Sequence, residues 1–373
     1  MDFSYNEAQQ EVSALAKKIL GDQTQPEHLA KIDKQQDRFD AKLWADLAQA
    51  GLLGVAINEN HGGMGLGFET LCLLIEEVGR TVAPLPLVPA LVSAAATLEK
   101  FASQEINDRY LPDLVSGQTL LTAALIEPAN EVLGNPATRA TKTEHGWALT
   151  GVKHCVPFAH TAKRILLTAQ SEDGLVALLL DPQTEGVTLN RQQVTAAEPQ
   201  FEVVLDAANI TEVVALGDQA SQLARWMFEA TAAAYSAMAT GLCDKMMRMT
   251  ASYTTERHQF GVPVATFQAV GHRAADCFID IECLRLTSQQ AISLIDQGLD
   301  ATEAVLVAKI WTGDVCHRVS QASQHLHGGM GVDRDYPLFR YCLWARQIEL
   351  TSGSSAQLLG TLGSNIATAY SQG

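Results

Sequence analysis

A mainly α-helical fold with a β middle domain is what this sequence predicts, on three observations. Apolar residues recur at helical spacing up to about residue 116. Stretches rich in Val, Thr and Leu, broken by turn residues every ~10 positions, then occupy residues 119 to 216. Helical periodicity returns after Gly217 and lasts to the end of the chain. The expected division is an N-terminal helical domain over residues 1–117, a small antiparallel β-domain over 118–217, and a C-terminal helix bundle over 218–373.

In the first helix, from Ser4 to Leu20, the residues Val12, Leu15, Ala16 and Ile19 make an amphipathic face, and a second helix runs from Ala41 to Ala50 until Gly51 stops it. Val55-Ala56-Ile57 leads into His61-Gly62-Gly63-Met64-Gly65-Leu66-Gly67 and a helix from Phe68 to Val78. This imitates a dinucleotide loop, but Phe68 stands where the third glycine is required, so the stretch is expected to be an ordinary loop. The pentapeptide His-Gly-Gly-Met-Gly recurs at 327–331 with different flanks, which argues against an internal repeat. Helices over Pro86 to Phe101 and Ile106 to Ser116 complete the first domain. The strands include Trp147 to Thr150, Ile165 to Thr168 and Leu175 to Leu180. The helices of the bundle are expected near 219–256, 264–297, 301–326, 336–350 and 354–370.

Composition narrows the function classes. In a chain of 373 residues, 42 acidic against 26 basic residues give a net charge of −16, which repels nucleic acid and anionic lipid. No run reaches the roughly 20 apolar residues of a membrane span. The opening MDFSYNEAQQE does not have the pattern of a signal peptide, so a cytoplasmic protein is expected. Seven scattered cysteines, without Cys-x-x-Cys or a histidine cluster, suit buried thiols in a reducing compartment and no metal site.

The most informative stretch is 253–277, YTTERHQFGVPVATFQAVGHRAADC. Gly261-Val262-Pro263 interrupts two helical patterns, which predicts a tight corner between long helices. Arg257, His258 and Gln259 precede the corner, and Phe267 and Gln268 follow it. A cation and amides gathered at helix ends suit a phosphate-bearing ligand, while an ordinary helical hairpin with a surface arginine fits the same residues.

The order Tyr253, Arg257, Gln259-Phe260-Gly261, Pro263, Phe267-Gln268, Val270, His272 and Ala275-Asp276 resembles the signature of the acyl-CoA dehydrogenase family of flavoproteins. His327-Gly328-Gly329-Met330-Gly331, followed by Tyr336-Pro337 and Arg340, resembles the family's later glycine turn. Pro112 to Pro128 and Gly51 to Gly79 resemble its entry into the middle domain and its N-terminal helices, so the likeness spans the chain. The resemblance implies the acyl-CoA dehydrogenase fold, with a small antiparallel β-barrel as middle domain, and FAD sites each built from two subunits. It also implies α,β-desaturation of an acyl-CoA thioester, in which a glutamate takes the α-proton and the flavin the β-hydride.

By this resemblance, the half-site lent to a neighbouring subunit is complete in Arg257, Gln259, Phe260, Phe267, Gln268, Gly328 and Gly329, with His325 where the family usually has glutamine. The half that would bind the subunit's own flavin departs from the pattern. Ile126-Glu127-Pro128-Ala129-Asn130-Glu131-Val132-Leu133 replaces a glycine-containing loop ending in Ser-Asp, and Cys155-Val156-Pro157 replaces Trp-Ile-Thr. Both of the family's positions for the catalytic glutamate hold hydroxyl residues. Ser352 occupies the one near the C-terminus, and Thr231, 26 residues before Arg257, the one on the long helix. Glu229 lies about 200° around that helix from Thr231 and is expected to be a solvated or salt-bridged carboxylate. No catalytic residue is therefore assigned.

The function expected is that of a base-lacking subunit in an α2β2 heterotetramer, lending its half of the FAD site to a homologous, catalytically complete acyl-CoA dehydrogenase subunit. An electron-transfer flavoprotein type of acceptor is implied. The ending Trp344 to Leu350 resembles members acting on steroid side-chain CoA esters, which implies lipid metabolism and steroid degradation. Two alternatives stay open: a self-sufficient homotetramer with a relocated base, and a non-enzymatic scaffold or CoA-ester binding protein.

Overall fold

Local sequence signals set the first helix, α1 (Glu7–Gln23), through a capping box at its start. Asn6 Oδ1 accepts from the Gln9 amide, and Gln9 Oε1 accepts from the Asn6 amide, both at 2.9 Å. Its buried face is Gln9, Val12, Ala16 and Leu20; Leu15, expected on that face, is 39% exposed. The structure, a computed structural model, describes residues 4–128, 130 and 135–372. The chain continues through α2 (Pro26–Ile32) and α3 (Ala41–Gln49), the latter capped by Asp40 and ended by Gly51 at φ 75°. Next come α4 (Gly67–Thr81), a π-helical segment Val88–Ala96 running into α5 (Thr97–Phe101), and α6 (Gln104–Val115). The glycine-rich stretch before α4 is a loop holding a single 3-10 turn, Glu59–His61, as its spacing requires.

Eight strands follow: β1 (Leu120–Ala124), β2 (Arg139–Thr143), β3 (Gly146–Pro157), β4 (Ala162–Ser171), β5 (Gly174–Leu180), β6 (Val187–Gln192), β7 (Gln200–Ile210) and β8 (Val213–Leu216). They form one sheet in the order β6-β7-β3-β2-β4-β5-β8, with β1 beside β4. The sheet is mixed rather than purely antiparallel, since β1 and β2 both run parallel to β4. Trp147, Leu149, Ile165, Leu167, Leu178, Val203 and Leu205 alternate into a common core.

The remaining helices are α7 (Gly217–Glu256), α8 (Gln268–Asp296), α9 (Thr302–His327), α10 (Leu338–Leu350) and α11 (Ser355–Gln372). The chain packs as two units. One comprises Met1–Lys31, Cys72–Ala83 and Ala232–Gly373; the other comprises Ile32–Leu71 and Pro84–Thr231, which includes the whole sheet. Within the first unit α4 and α7 cross at backbone contact. A Cβ on Gly79 would lie 1.9 Å from the Met238 carbonyl oxygen, and one on Gly241 would lie 1.9 Å from that of Glu76. Neither position admits a side chain without a backbone shift.

The corner expected at Gly261-Val262-Pro263 is built differently. Residues 257–267 are not a simple corner, because β9 (His258–Gln259) and β10 (Val262–Pro263) pair as a hairpin with Phe260-Gly261 as its two-residue loop. Pro263 tolerates the edge position, and a 3-10 turn at Val264–Thr266 delays the start of α8 to Gln268.

Candidate functional site

At the end of α7 the hairpin carries Arg257, His258, Gln259 and Phe260 out of the helical unit. Both loop residues have positive φ, 55° at Phe260 and 82° at Gly261, the requirement of a two-residue turn matched to strand twist. Glycine adopts this freely, but phenylalanine in the left-handed region is strained by about 1–2 kcal/mol. The turn carries the Phe260 ring into solvent, where it is 94% exposed and edge-on to Phe267 at a centroid distance of 6.3 Å. Arg257 is exposed and has no carboxylate within 4.0 Å among the described residues; its carbonyl accepts from the Val264 amide at 2.8 Å and closes the hairpin base.

The second motif stretch reaches this hairpin through an aromatic stack. Tyr253 lies on the His327 ring at 4.4 Å and 23°. His327 Nδ1 donates to the Ser323 carbonyl at 2.8 Å, which leaves Nε2 as acceptor for the Tyr336 hydroxyl at 3.2 Å. Burial holds the pKa of His327 below its ordinary value, consistent with the neutral ring this arrangement requires. The stack fixes the end of α7 to the end of α9, where Gly328 has φ 59° and ψ −133°, a conformation open to glycine. A Cβ on Gly328 or Gly329 would meet nothing within 4 Å. Packing within the chain therefore gives no reason for a bare backbone at Gly329.

His325, also at the end of α9, has its Nδ1 3.1 Å from Arg273 Nη1. A guanidinium can only donate, so Nδ1 accepts and the Nε2–H is free to act as a donor. Sequence reasoning did not assign Tyr253, His327, Tyr336 or Arg273 to the site. The first three stood in the matched motifs as aromatic residues, but their contact is tertiary. Gln268 begins α8 behind Phe267, and both are exposed.

The stretches in the other unit are organised differently. Ala129 and Glu131, Val132 and Leu133 of the predicted loop lie outside the described residues. Glu127 is buried and accepts from Lys153 Nζ at 2.7 Å, Thr138 Oγ1 at 2.5 Å, the Thr138 amide at 3.1 Å, Asn130 Nδ2 at 2.9 Å and the Ala137 amide. Burial by itself raises this carboxyl, but the Lys153 ammonium and the hydrogen bonds outweigh it and hold the pKa at about 2. The Cys155 amide donates to Gln192 Oε1 at 2.8 Å, and the Pro157 carbonyl accepts from Thr122. Pro157 itself has no amide hydrogen to offer a ligand.

At the two positions where the family resemblance places a base, Thr231 is buried, donates to the Met227 carbonyl at 2.6 Å and lies 2.8 Å from Ser93 Oγ. Ser352 follows α10 with φ 62°. Glu229 is buried rather than solvated, and one of its oxygens meets Arg225 Nε at 3.1 Å. No cluster of metal-ligating side chains occurs, and no helix is long and apolar enough to cross a membrane, among the described residues.

Comparison with known proteins adds to this geometry. Residues 6–118 match the family model described as acyl-CoA dehydrogenase, N-terminal domain, and residues 221–367 match that of the C-terminal domain. The chain is 32% identical to acyl-CoA dehydrogenase FadE27 of Mycobacterium tuberculosis, covering 98% of this chain and 99% of that one. Among solved structures it is similar to the Tcur3481-Tcur3483 steroid ACAD G363A variant, with TM-score 0.92 and 38% identity, covering 98% and 99% of the two chains. It is also similar to the ChsE4-ChsE5 complex from M. tuberculosis, with TM-score 0.92 and 33% identity at the same coverage.

Proposed function

Because the chain belongs to the acyl-CoA dehydrogenase family, an oxidoreductase family, we propose that it is a subunit of a heteromeric FAD-dependent acyl-CoA dehydrogenase. It lends one half of the FAD site to a homologous catalytic subunit in an α2β2 assembly. The substrate is a steroid side-chain CoA ester and the acceptor an electron-transfer flavoprotein. Similarity to a steroid ACAD pair and to a two-component complex supports the assembly and the substrate class.

The observation that carries the proposal is the outward-facing half-site. Arg257 stands without an ion-pair partner among the described residues, Phe260 is 94% exposed, and Gly329 is bare where this chain has no use for it. Each feature suits a group supplied from outside: the guanidinium a pyrophosphate, the phenyl ring an aromatic face, and the glycine backbone a close approach. FAD, when bound, supplies the hydride acceptor. In this chain Arg257 and Gln259 would hold it, Phe260 and Phe267 would offer it aromatic contact, and His325 would present its Nε2–H as a donor. The chain takes no proton from the substrate, since Thr231 and Ser352 are hydroxyls far too weakly basic for that role.

The test is Arg257→Ala in this chain alone, followed by flavin titration of the reconstituted complex. Losing a charge-assisted pair is expected to cost about 1.5–3 kcal/mol, or roughly tenfold to a hundredfold in affinity. Lysine restores only part of it, lacking the planar fork. Unchanged flavin affinity in an assembled complex would refute the lent half-site. Stoichiometric flavin on the lone chain would instead favour a self-sufficient homotetramer.

A further inference from the structure

The helical unit contains a basic cleft, apart from the proposed flavin half-site. A cleft of about 830 Å³ lies among α1, α2, α4, α7, α8 and the start of α10. Lys17, Arg80, Lys245, Arg248, Arg285 and Arg340 bring six cations to its wall, in a chain whose net charge is −16. Only Glu77 and Asp244 oppose them from the wall.

Three of the arginines are already neutralised. Arg80 bonds Asp244, and also Glu77 at 3.0 Å and Glu76 at 2.8 Å; Arg285 meets Glu76 at 2.9 Å, and Arg248 meets Asp244 at 2.9 Å. Glu282 also reaches Arg285, at 3.5 Å, from a more exposed position. Lys17 and Lys245 have no carboxylate within 4.0 Å among the described residues, and Lys245 is half-buried. The cleft thus keeps surplus positive charge, and low-dielectric walls focus such a field on an incoming anion.

A second observation narrows the ligand. Glu77 is buried, and its Oε2 has no hydrogen-bond partner, while its Oε1 accepts from Arg80 Nε. An orphaned buried carboxylate oxygen calls for an N–H or O–H donor. The ligand therefore combines anionic oxygens with donor groups, and Pro26, Met249 and Pro337 offer it apolar wall. The volume falls within the range of small-ligand sites. We infer that this cleft binds a phosphorylated ligand of nucleotide size, with Lys17 and Lys245 holding the phosphates and Glu77 accepting from the base or sugar. Arg257 follows the end of α7, 9 residues beyond Arg248 and 12 beyond Lys245, roughly 14–18 Å on the helix axis, so the two sites are distinct.

The experiment is calorimetric titration of the full-length chain with ADP, and with pyrophosphate as competitor. It is repeated on Lys17→Ala, Lys245→Ala, the double variant and Arg257→Ala, each shown by thermal melting to be folded. ADP is expected to bind, more weakly as salt rises, and pyrophosphate to compete. The double variant should bind tenfold or more weakly, each single variant by an intermediate amount, and Arg257→Ala within twofold of the native chain. No ADP binding at millimolar concentration would overturn the inference, as would pyrophosphate binding with ADP excluded. Native affinity in the double variant overturns it too. Loss of ADP binding in Arg257→Ala with retention in the lysine variants would move the ligand to the flavin half-site and defeat the proposal.

Discussion

Removing Lys153 isolates the interaction that anchors the start of the 126–133 segment. In Lys153→Met the Glu127 carboxylate stays buried and loses the Lys153 ammonium, at 2.7 Å, while the Thr168 carbonyl loses a donor at 2.8 Å. Breaking a buried pair by removing one partner costs about 3–5 kcal/mol. Thr138, Asn130 and Ala137 continue to donate to Glu127, which puts the expected loss near the lower end, about 3 kcal/mol at pH 7. The pH dependence gives a sharper signature. In the native chain the Glu127 carboxyl sits at about 2, below its ordinary 4.5. Its contribution is therefore complete above pH 4.5 and lost as pH falls toward 2. Without Lys153 the folded-state value climbs, so that acid-labile share disappears and the two proteins converge on acidification. The assay is urea denaturation of native, Lys153→Met, Glu127→Gln and the double variant between pH 7 and pH 3. A gap between native and Lys153→Met that is as wide at pH 3 as at pH 7 refutes the argument. Additive single losses in the double variant would show that the two side chains are not energetically coupled.

Three further outcomes are expected. Phe260→Asn relieves a strained φ, since asparagine tolerates the left-handed region; the lone chain should melt no lower than native, while the complex binds flavin roughly tenfold more weakly for want of about 1.5 kcal/mol of ring contact. A variant that melts several degrees lower would show that the Phe260–Phe267 contact outweighs the strain. Gly329→Ala should change the stability of the lone chain by no more than about 0.5 kcal/mol, because its Cβ enters open space, and yet reduce flavin retention; Gly328→Ala should lose about 1–3 kcal/mol as well. Unimpaired flavin binding by Gly329→Ala would mean that no cofactor approaches that backbone. Glu229→Gln should leave turnover of the complex nearly unchanged, since the carboxylate is engaged with Arg225; a loss of a hundredfold or more would make Glu229 a general base.

The helices and the order of helical and β-rich regions were written in the sequence because periodicity is local. A 3.6-residue repeat, a capping residue such as Asn6 or a stop such as Gly51 acts within a turn or two, so α1, α3 and α7 to α11 fell close to their expected spans. The residues proposed for the half-site were named for a different reason, as they cluster in two short motifs. What the motifs could not express was geometry. The Phe260-Gly261 loop looks like a helix-breaking corner until the pairing of Gln259 with Val262 makes it a hairpin and forces phenylalanine to a positive φ. Two strands parallel to β4 escaped prediction because register and direction belong to pairs of segments, not to either alone. The stack of Tyr253 on His327 and the touching backbones at Gly79 and Gly241 join residues far apart in the chain, as does the basic cleft. The six cations of that cleft come from five helices and leave no spacing to recognise. Only folding sets them around one space, and it does so against the net negative charge of the chain.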